Sequence, residues 1–464
     1  MANINGTVGA DTITPGFVSP GVVGGLPTFV NDTINGFAGD DTINSGGGDD
    51  LVFGGNDNDN INGGSGNDTL NGGAGNDTIN GADGNDLING DGGNDTLNGG
   101  NGNDNINGGS GTDILNGGAG TDQLSGGDGN DNVSSDGDGG TYNGDAGNDT
   151  MFSGIGGETM DGGTGIDTID HRAFNGLYVF DMATGLTNFG GELYANFEKV
   201  RMGNGDDTVT GNAADNTIFG GGGNDTLTGG AGVDTINGDD GDDTITSDGD
   251  GGTYNGGAGN DSMKSGLGPE TMIGGTGIDT IDHTIWNGDY VFNMGTGLTN
   301  FGGESYKGFE NVLMGNGNDT VTGSSANNTI KGGGGGGADT LNGGTGNDFI
   351  NGEDGNDLII GGAGQDTLTG GLGADTFDFN SVTESSVATP DTVSNFKWSE
   401  GDKIDLSTID ADVTVAGNQA FTLAQITFNS GAETLFADVT GGADLLINLT
   451  GVEGGFAPIF DVTL

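Results

Sequence analysis

The chain contains no cysteine, six prolines and only eight Lys and Arg in 464 residues. Without cysteine, neither a disulfide framework nor a thiolate metal site can form. The few cations stand against 69 Asp and Glu, for a formal charge of −61. No basic surface can therefore be built for nucleic acid or anionic lipid, and the expected partners are cations. The first basic residue is Arg172. Long apolar runs are missing too. No segment approaches the roughly 20 residues of a transmembrane helix, and residues 1–30 do not read as a secretory signal of the usual kind. Hydrophobic residues make up 30%, a share that by itself describes a disordered acidic chain.

Order in the sequence removes that reading. Glycine supplies 108 residues, and from Gly36 the chain reads in nines: GFAGDDTIN, SGGGDDLVF, GGNDNDNIN, GGSGNDTLN. The phase holds through Asp170, resumes from Met202 to Asp282 and again from Met314 to Asp378, with one two-glycine slip near Gly332–Gly337. Each unit follows GGxGxDxUx, where U is a large aliphatic residue such as Ile88, Leu97 or Ile106. Two outlying pieces, GTVGADTIT at residues 6–14 and NDTIN at 31–35, start the array early.

Each unit predicts a six-residue turn and a three-residue strand. Glycine suits tight turns that need positive φ, and the strand period of two sends only the eighth-place aliphatic inward. One buried aliphatic side chain per nine ordered residues does not offset the loss of chain entropy. Stacked aspartates add repulsion. A hard divalent cation reverses both, because Ca²⁺ takes carboxylate and carbonyl oxygens in flexible geometry, whereas Mg²⁺ demands a small octahedron. With two units per coil, turns on one edge lie 18 residues apart. One edge then stacks Asp41, Asp59, Asp77, Asp95, Asp113, Asp131, Asp149 and Asp167, and the other Asp50, Asp68, Asp86, Asp104 and Asp122. The later blocks add Asp207, Asp225, Asp234, Asp243, Asp261, Asp279, Asp319, Asp339, Asp348, Asp357, Asp366 and Asp375. These are the candidate calcium ligands, with on the order of twenty ions expected between successive turns. The sixth place is degraded at Gly140, Glu158, Asn216, Gly252, Glu270 and Asn328, and weak or no binding is expected there.

The repeat resembles the RTX, or haemolysin-type, calcium-binding family. The resemblance implies an all-β chain folded as a parallel β-roll, a β-solenoid in which two nonapeptides make one coil. The organisation expected is an irregular start of the array at 1–35, roll blocks at 36–170, 202–282 and 314–378, inserts at 171–201 and 283–313, and a β-rich C-terminal cap at 379–464. The inserts belong to a tandem duplication offset by 112 residues: Ser-Asp-Gly-Asp-Gly-Gly-Thr-Tyr-Asn stands at 135–143 and at 247–255. They are rich in aromatics, and each begins at one of the two histidines, His171 and His283. Filling a local core is the plainer reading of those rings; a glycan or partner platform is the alternative. The histidines read as structural.

The stretch Asp391-Thr-Val-Ser-Asn-Phe396 with Gly401-Asp-Lys-Ile-Asp-Leu-Ser407 looks like the C-terminal domain that follows the repeats in serralysin-type secreted proteases. That likeness implies a cap on the roll and a signal read by bacterial type I secretion machinery, with Phe460-Asp-Val-Thr-Leu464 resembling the end of such signals. HExxH, GxSxG and GxxxxGK[ST] are all absent, so no catalytic centre is expected. The expectation is a secreted, extracellular calcium-dependent protein of structural, cell-surface or matrix character, with surface polysaccharide or self-assembly as candidate partners. A polysaccharide-acting enzyme is the alternative.

Overall fold

The computed structural model describes residues 2–154, 156–409, 411, 414, 419–422, 424–452 and 462–463. It is all-β, with no helix among the described residues. The chain divides into two compact units, Met1–Ala231 and Gly232–Leu464. Each is a parallel β-solenoid.

In the first unit, alternate nonapeptides enter alternate sheets. Leu87–Gly92 lies between Thr69–Ala74 and Asn105–Ser110, with Ile88 beside Leu70 and Ile106. Thr96–Asn101 lies between Thr78–Asp83 and Ile114–Ala119 in the other sheet, with Leu97 beside Ile79 and Leu115. The register is 18 residues, as two units per coil require. The eighth-place side chains therefore form two continuous inward stacks, and Ile61, Leu70, Ile88, Ile106 and Leu115 are fully buried. Thr and Asn at the seventh and ninth places point outward, as the two-residue period demands.

The strands are longer than the three residues expected. Many, such as Thr69–Ala74 and Asn105–Ser110, run six residues, through the first three places of the next unit. Glycine at the second place allows this. Gly109 holds φ at 106° and still pairs with Asp91 and Gly127, and a Cβ on it would run into the Asp91 carbonyl one coil back. Only about half of the expected turn is left as a turn.

The array begins earlier than its regular spelling. Asn3–Asn5 pairs with Thr33–Ala38, and Thr12–Thr14 pairs with Thr42–Asn44, so the first coil is already in register. Its outer edges are blunted: Phe17–Val18 pairs antiparallel with Thr12–Thr14, and Val23 bridges Asn5. Such covering removes a free edge from strand addition.

Residues 171–201 leave the roll and return. Val179–Asp181 pairs parallel with Thr208–Thr210, then turns through Leu186–Thr187 to Leu193–Ala195, which lies beside Glu158–Asp161. Lys199–Arg201 then lies beside both Thr168–Asp170 and Thr217–Gly222. In the second unit, residues 283–313 repeat the excursion through Val291–Asn293 and Asn311–Leu313.

After Asp378 the roll continues. Asp391–Ser394 pairs with Thr367–Leu372, and Lys403–Asp405 with Thr376–Asp378. The sheet then turns antiparallel through Ile426–Asn429, Thr434–Ala437 and Leu445–Thr450, the last of which also lies beside Asp391–Ser394. The segment is β-rich. The proposed signal at Phe460–Leu464 lies outside the described residues, save that the Val462–Thr463 backbone pairs with Ile404 and Asp405.

Candidate metal sites

The local sequence Asp-x-U places each sixth-place aspartate where a turn enters a strand. Its backbone joins the ladder and its carboxylate faces along the coil axis. At Asp113, Oδ1 accepts the Asp95 N–H at 2.7 Å, and the Asp113 N–H donates to Asp131 Oδ1 at 2.8 Å. The other oxygen, Asp113 Oδ2, is buried with no hydrogen-bond partner. It points to the space beside Gly108, where a Cβ would lie 2.5 Å from Asp113 Oδ2 and 2.5 Å from the Gly126 carbonyl oxygen of the next coil. A carboxylate oxygen and a carbonyl oxygen thus converge on a spot that only the missing side chain of glycine leaves open.

This arrangement is repeated down both edges. The N–H groups of Asp41, Asp59, Asp77, Asp95, Asp113, Asp131 and Asp149 each bond the next aspartate of the first row, ending at Asp167. Asp50, Asp68, Asp86, Asp104 and Asp122 form the second row in the same way. Every aspartate in those two rows has a buried Oδ2 without a partner. Asp207 bonds Asp225. In the second unit Asp243, Asp261 and Asp279 form one run, and Asp234 is buried on the facing strand. Asp319, Asp339, Asp357 and Asp375 form another run, and Asp348 and Asp366 a third. The two-glycine slip lengthens the step to 20 residues between Asp319 and Asp339 without breaking the row.

Burial without a counter-charge disfavours the ionised form. It pushes Asp59, Asp68, Asp95 and Asp149 up to about 7, with neighbouring aspartates adding to the rise and backbone N–H bonds opposing it. Asp113 moves in the same direction for the same first cause. A stack of orphaned, charge-starved carboxylate oxygens facing carbonyls is the donor set of a hard divalent cation. Among the described residues no three acidic or imidazole side chains converge on one point. The rows bring one carboxylate per coil to each place, and the backbone must supply the remaining oxygens.

The degraded turns are built differently. Glu158 turns inward, where Tyr194 OH donates to its Oε1 at 3.1 Å and Ser135 Oγ to its Oε2. Tyr306 OH makes the same bond to Glu270, at 3.2 Å. Behind Gly140 and Gly252, Tyr142 and Tyr254 donate their hydroxyls to the Gly139 and Gly251 carbonyls. Asn216 Oδ1 accepts the Asn212 N–H, and Asn328 Oδ1 accepts the Ser324 N–H. In these turns the side-chain oxygens are committed to protein hydrogen bonds, except Glu270 Oε2, which is buried without a partner.

Four acids that the regular spelling passes over extend the rows. Asp41 Oδ1 accepts the Asp11 N–H at 2.6 Å, and Asp50 Oδ1 accepts the Asp32 N–H at 2.7 Å. At the other end, Asp391 and Asp402 accept the Asp366 and Asp375 N–H groups. Asp391 keeps a buried Oδ2 without a partner and is pushed up to about 8 by burial. Asp402 Oδ2 accepts the Lys397 N–H, so that row ends there. The signal was present in DTI, DTV and DKI, which keep Asp two places before an aliphatic residue although the first-place glycine survives only at Gly6.

The inserts are local cores. Tyr178, Phe180, Tyr194 and Phe197, and their counterparts Tyr290, Phe292, Tyr306 and Phe309, are buried; Phe174 with Phe189 and Trp286 with Phe301 are half-buried and packed edge to face. His171 and His283 lie inside, each with Nδ1 against a serine hydroxyl, Ser153 or Ser265. Burial pulls both imidazoles down to about 3, so they are neutral.

Fold and rows together define a calcium-binding β-roll. Three stretches, 31–169, 203–281 and 315–381, match the RTX calcium-binding nonapeptide repeat, which makes the chain a member of that family. Among solved structures, the AlgE6R2 subunit of the Azotobacter vinelandii mannuronan C5-epimerase shares 25% identity over 31% of this chain and 91% of that one, with a TM-score of 0.22. The AlgE6R3 subunit of the same enzyme shares 26% over 32% and 77%, with a TM-score of 0.16. No curated protein matches the chain. No helix among the described residues is long and apolar enough to cross a membrane.

Proposed function

We propose that this is a secreted protein whose folding is switched on by extracellular calcium, and that its role outside is structural, at a cell surface or in a matrix, rather than enzymatic. The observation that carries the reading is the double row of buried aspartate oxygens without partners. Those carboxylates repel one another in a metal-free roll, and one aliphatic side chain per coil edge is too little to hold them together. Calcium, when bound, supplies positive charge between successive turns. The twenty-five sixth-place aspartates are the proposed ligands, on the order of twenty ions in all. Along the regular rows, as at Asp113, the aspartate keeps Oδ1 on the ladder N–H and offers Oδ2 beside the first-place glycine, so ion binding and backbone order form together.

The chain then stays unfolded in calcium-poor cytosol, threads a type I secretion channel C-terminus first, and folds where calcium is millimolar. The serralysin-like segment 379–464 is the proposed cap and recognition region. The structural role is supported by the repeats filling most of the chain, and burial of most insert rings leaves few aromatic faces for a glycan to stack on. Calcium titration followed by circular dichroism and light scattering tests the reading. Metal-stripped protein is expected to be expanded and to gain β-structure as calcium is added, with scattering reporting whether a monomer or an assembly forms. A stripped chain as compact and β-rich as the calcium-loaded one would refute it.

A further inference from the structure

The inserts break the nonapeptide spelling, yet the aspartate row passes through them. In the first copy the Asp149 N–H bonds Asp167 Oδ1 at 2.7 Å, and the Asp167 N–H then bonds Glu198 Oε2 at 2.9 Å. The backbone follows the same course: the Lys199 N–H donates to the Asp167 carbonyl, and the Thr217 N–H to the Glu198 carbonyl. Glu198 therefore stands where a sixth-place aspartate would. In the second copy Asp279 is followed in the same way by Glu310, at 3.0 Å, with Asn311 and Thr329 repeating the backbone bonds.

The turn that delivers these glutamates is short. In a regular unit the first-place carbonyl and the sixth-place acid are five residues apart. Here the carbonyl beside Asp167 comes from Asn196, at φ 57°, and the one beside Asp279 from Gly308, at φ 74°. Only Phe197 or Phe309, both buried, separates that carbonyl from the acid. A glutamate side chain is one methylene longer than aspartate, and that length spans the contracted turn. Asp167 Oδ2 and Asp279 Oδ2 are fully buried and have no hydrogen-bond partner. The space they face is the glycine-lined one: a Cβ on Gly162 would collide with the Asn196 carbonyl, and one on Gly274 would lie 2.6 Å from Asp279 Oδ2 and collide with the Gly308 carbonyl.

We propose that each insert holds a hard divalent cation of its own, between Asp167, the Asn196 carbonyl and Glu198 in one copy, and between Asp279, the Gly308 carbonyl and Glu310 in the other. The proposal rests on the calcium reading of the regular rows and adds a ligand type outside the nonapeptide pattern. Such a site fastens the returning end of the insert to the roll, so the aromatic core of residues 171–195 is closed by the same ion that orders the turns.

The test uses the full chain with calcium. In a calcium-loaded crystal, anomalous scattering is expected beside Asp167 Oδ2 and Asp279 Oδ2. The double variant E198Q/E310Q keeps side-chain length and the acceptor oxygen for the Asp167 and Asp279 N–H groups, and should lose one ion per insert in equilibrium dialysis at limiting calcium. Occupied regular rows with no peak at the inserts, or unchanged calcium content in the variant, would overturn the insert sites alone. No calcium anywhere would overturn these sites and the calcium reading together. If the variant does not fold, the anomalous map of the unaltered chain decides.

Discussion

Replacing Asp113 by Asn separates an ion ligand from a packing residue. The asparagine carbonyl can still accept the Asp95 N–H now bonded to Asp113 Oδ1 at 2.7 Å, so the ladder survives. The group replaced is Oδ2, buried and without a partner, near the Gly126 carbonyl. An amide NH₂ there becomes a donor to that carbonyl and removes one charge from the row. With calcium at tenfold its dissociation constant, losing one ion costs about 1.4 kcal/mol, which for a unit of this size lowers Tm by roughly 3–6 °C. Without calcium the sign reverses, because burial disfavours the ionised Asp113 in the metal-free roll. Thermal unfolding by circular dichroism, in calcium and after metal stripping, measures both arms. The reasoning fails if D113N lowers stability equally in both conditions, or changes nothing when calcium is present.

Acid should partly replace calcium. The raised aspartates reach about 7 in the metal-free roll against an ordinary 3.8; their protonation favours the folded state most below about pH 4, and that contribution is lost as pH rises through 7. Metal-stripped protein is therefore expected to gain β signal between pH 7 and pH 4, and the calcium needed to reach the folding midpoint should fall as pH falls below 7, while protons compete with the ion for each site; a stripped chain equally disordered at both pH values would count against this. Gly108→Ala should raise the calcium midpoint more than D113N does, because the methyl takes the space beside Asp113 Oδ2; an unchanged midpoint in a titration would show that the space is not used. Leu115→Ala removes a fully buried stack member and should destabilise the calcium-loaded roll by about 2–5 kcal/mol, read as a lower denaturation midpoint.

The sequence alone determined the roll. A period of nine with Asp and an aliphatic residue two apart is local chemistry, so strand placement, the 18-residue stacking and the two rows could all be read from spacing. The length of the strands could not, because whether glycine at the second place turns or continues the ladder depends on the neighbouring coil, as at Gly109 between Asp91 and Gly127. Tertiary structure also decided which acids face the ion rows. Glu158 has the position of a ligand, but a tyrosine from the insert draws it inward. Glu198, far outside the pattern, is carried into the row by a returning strand. Asp391 joins it only because the strand at 391–394 docks on the last coils. Periodicity specifies what each residue does to its neighbours in the chain. Where the chain leaves the repeat and comes back, the partners are set by packing between segments that no local spacing records.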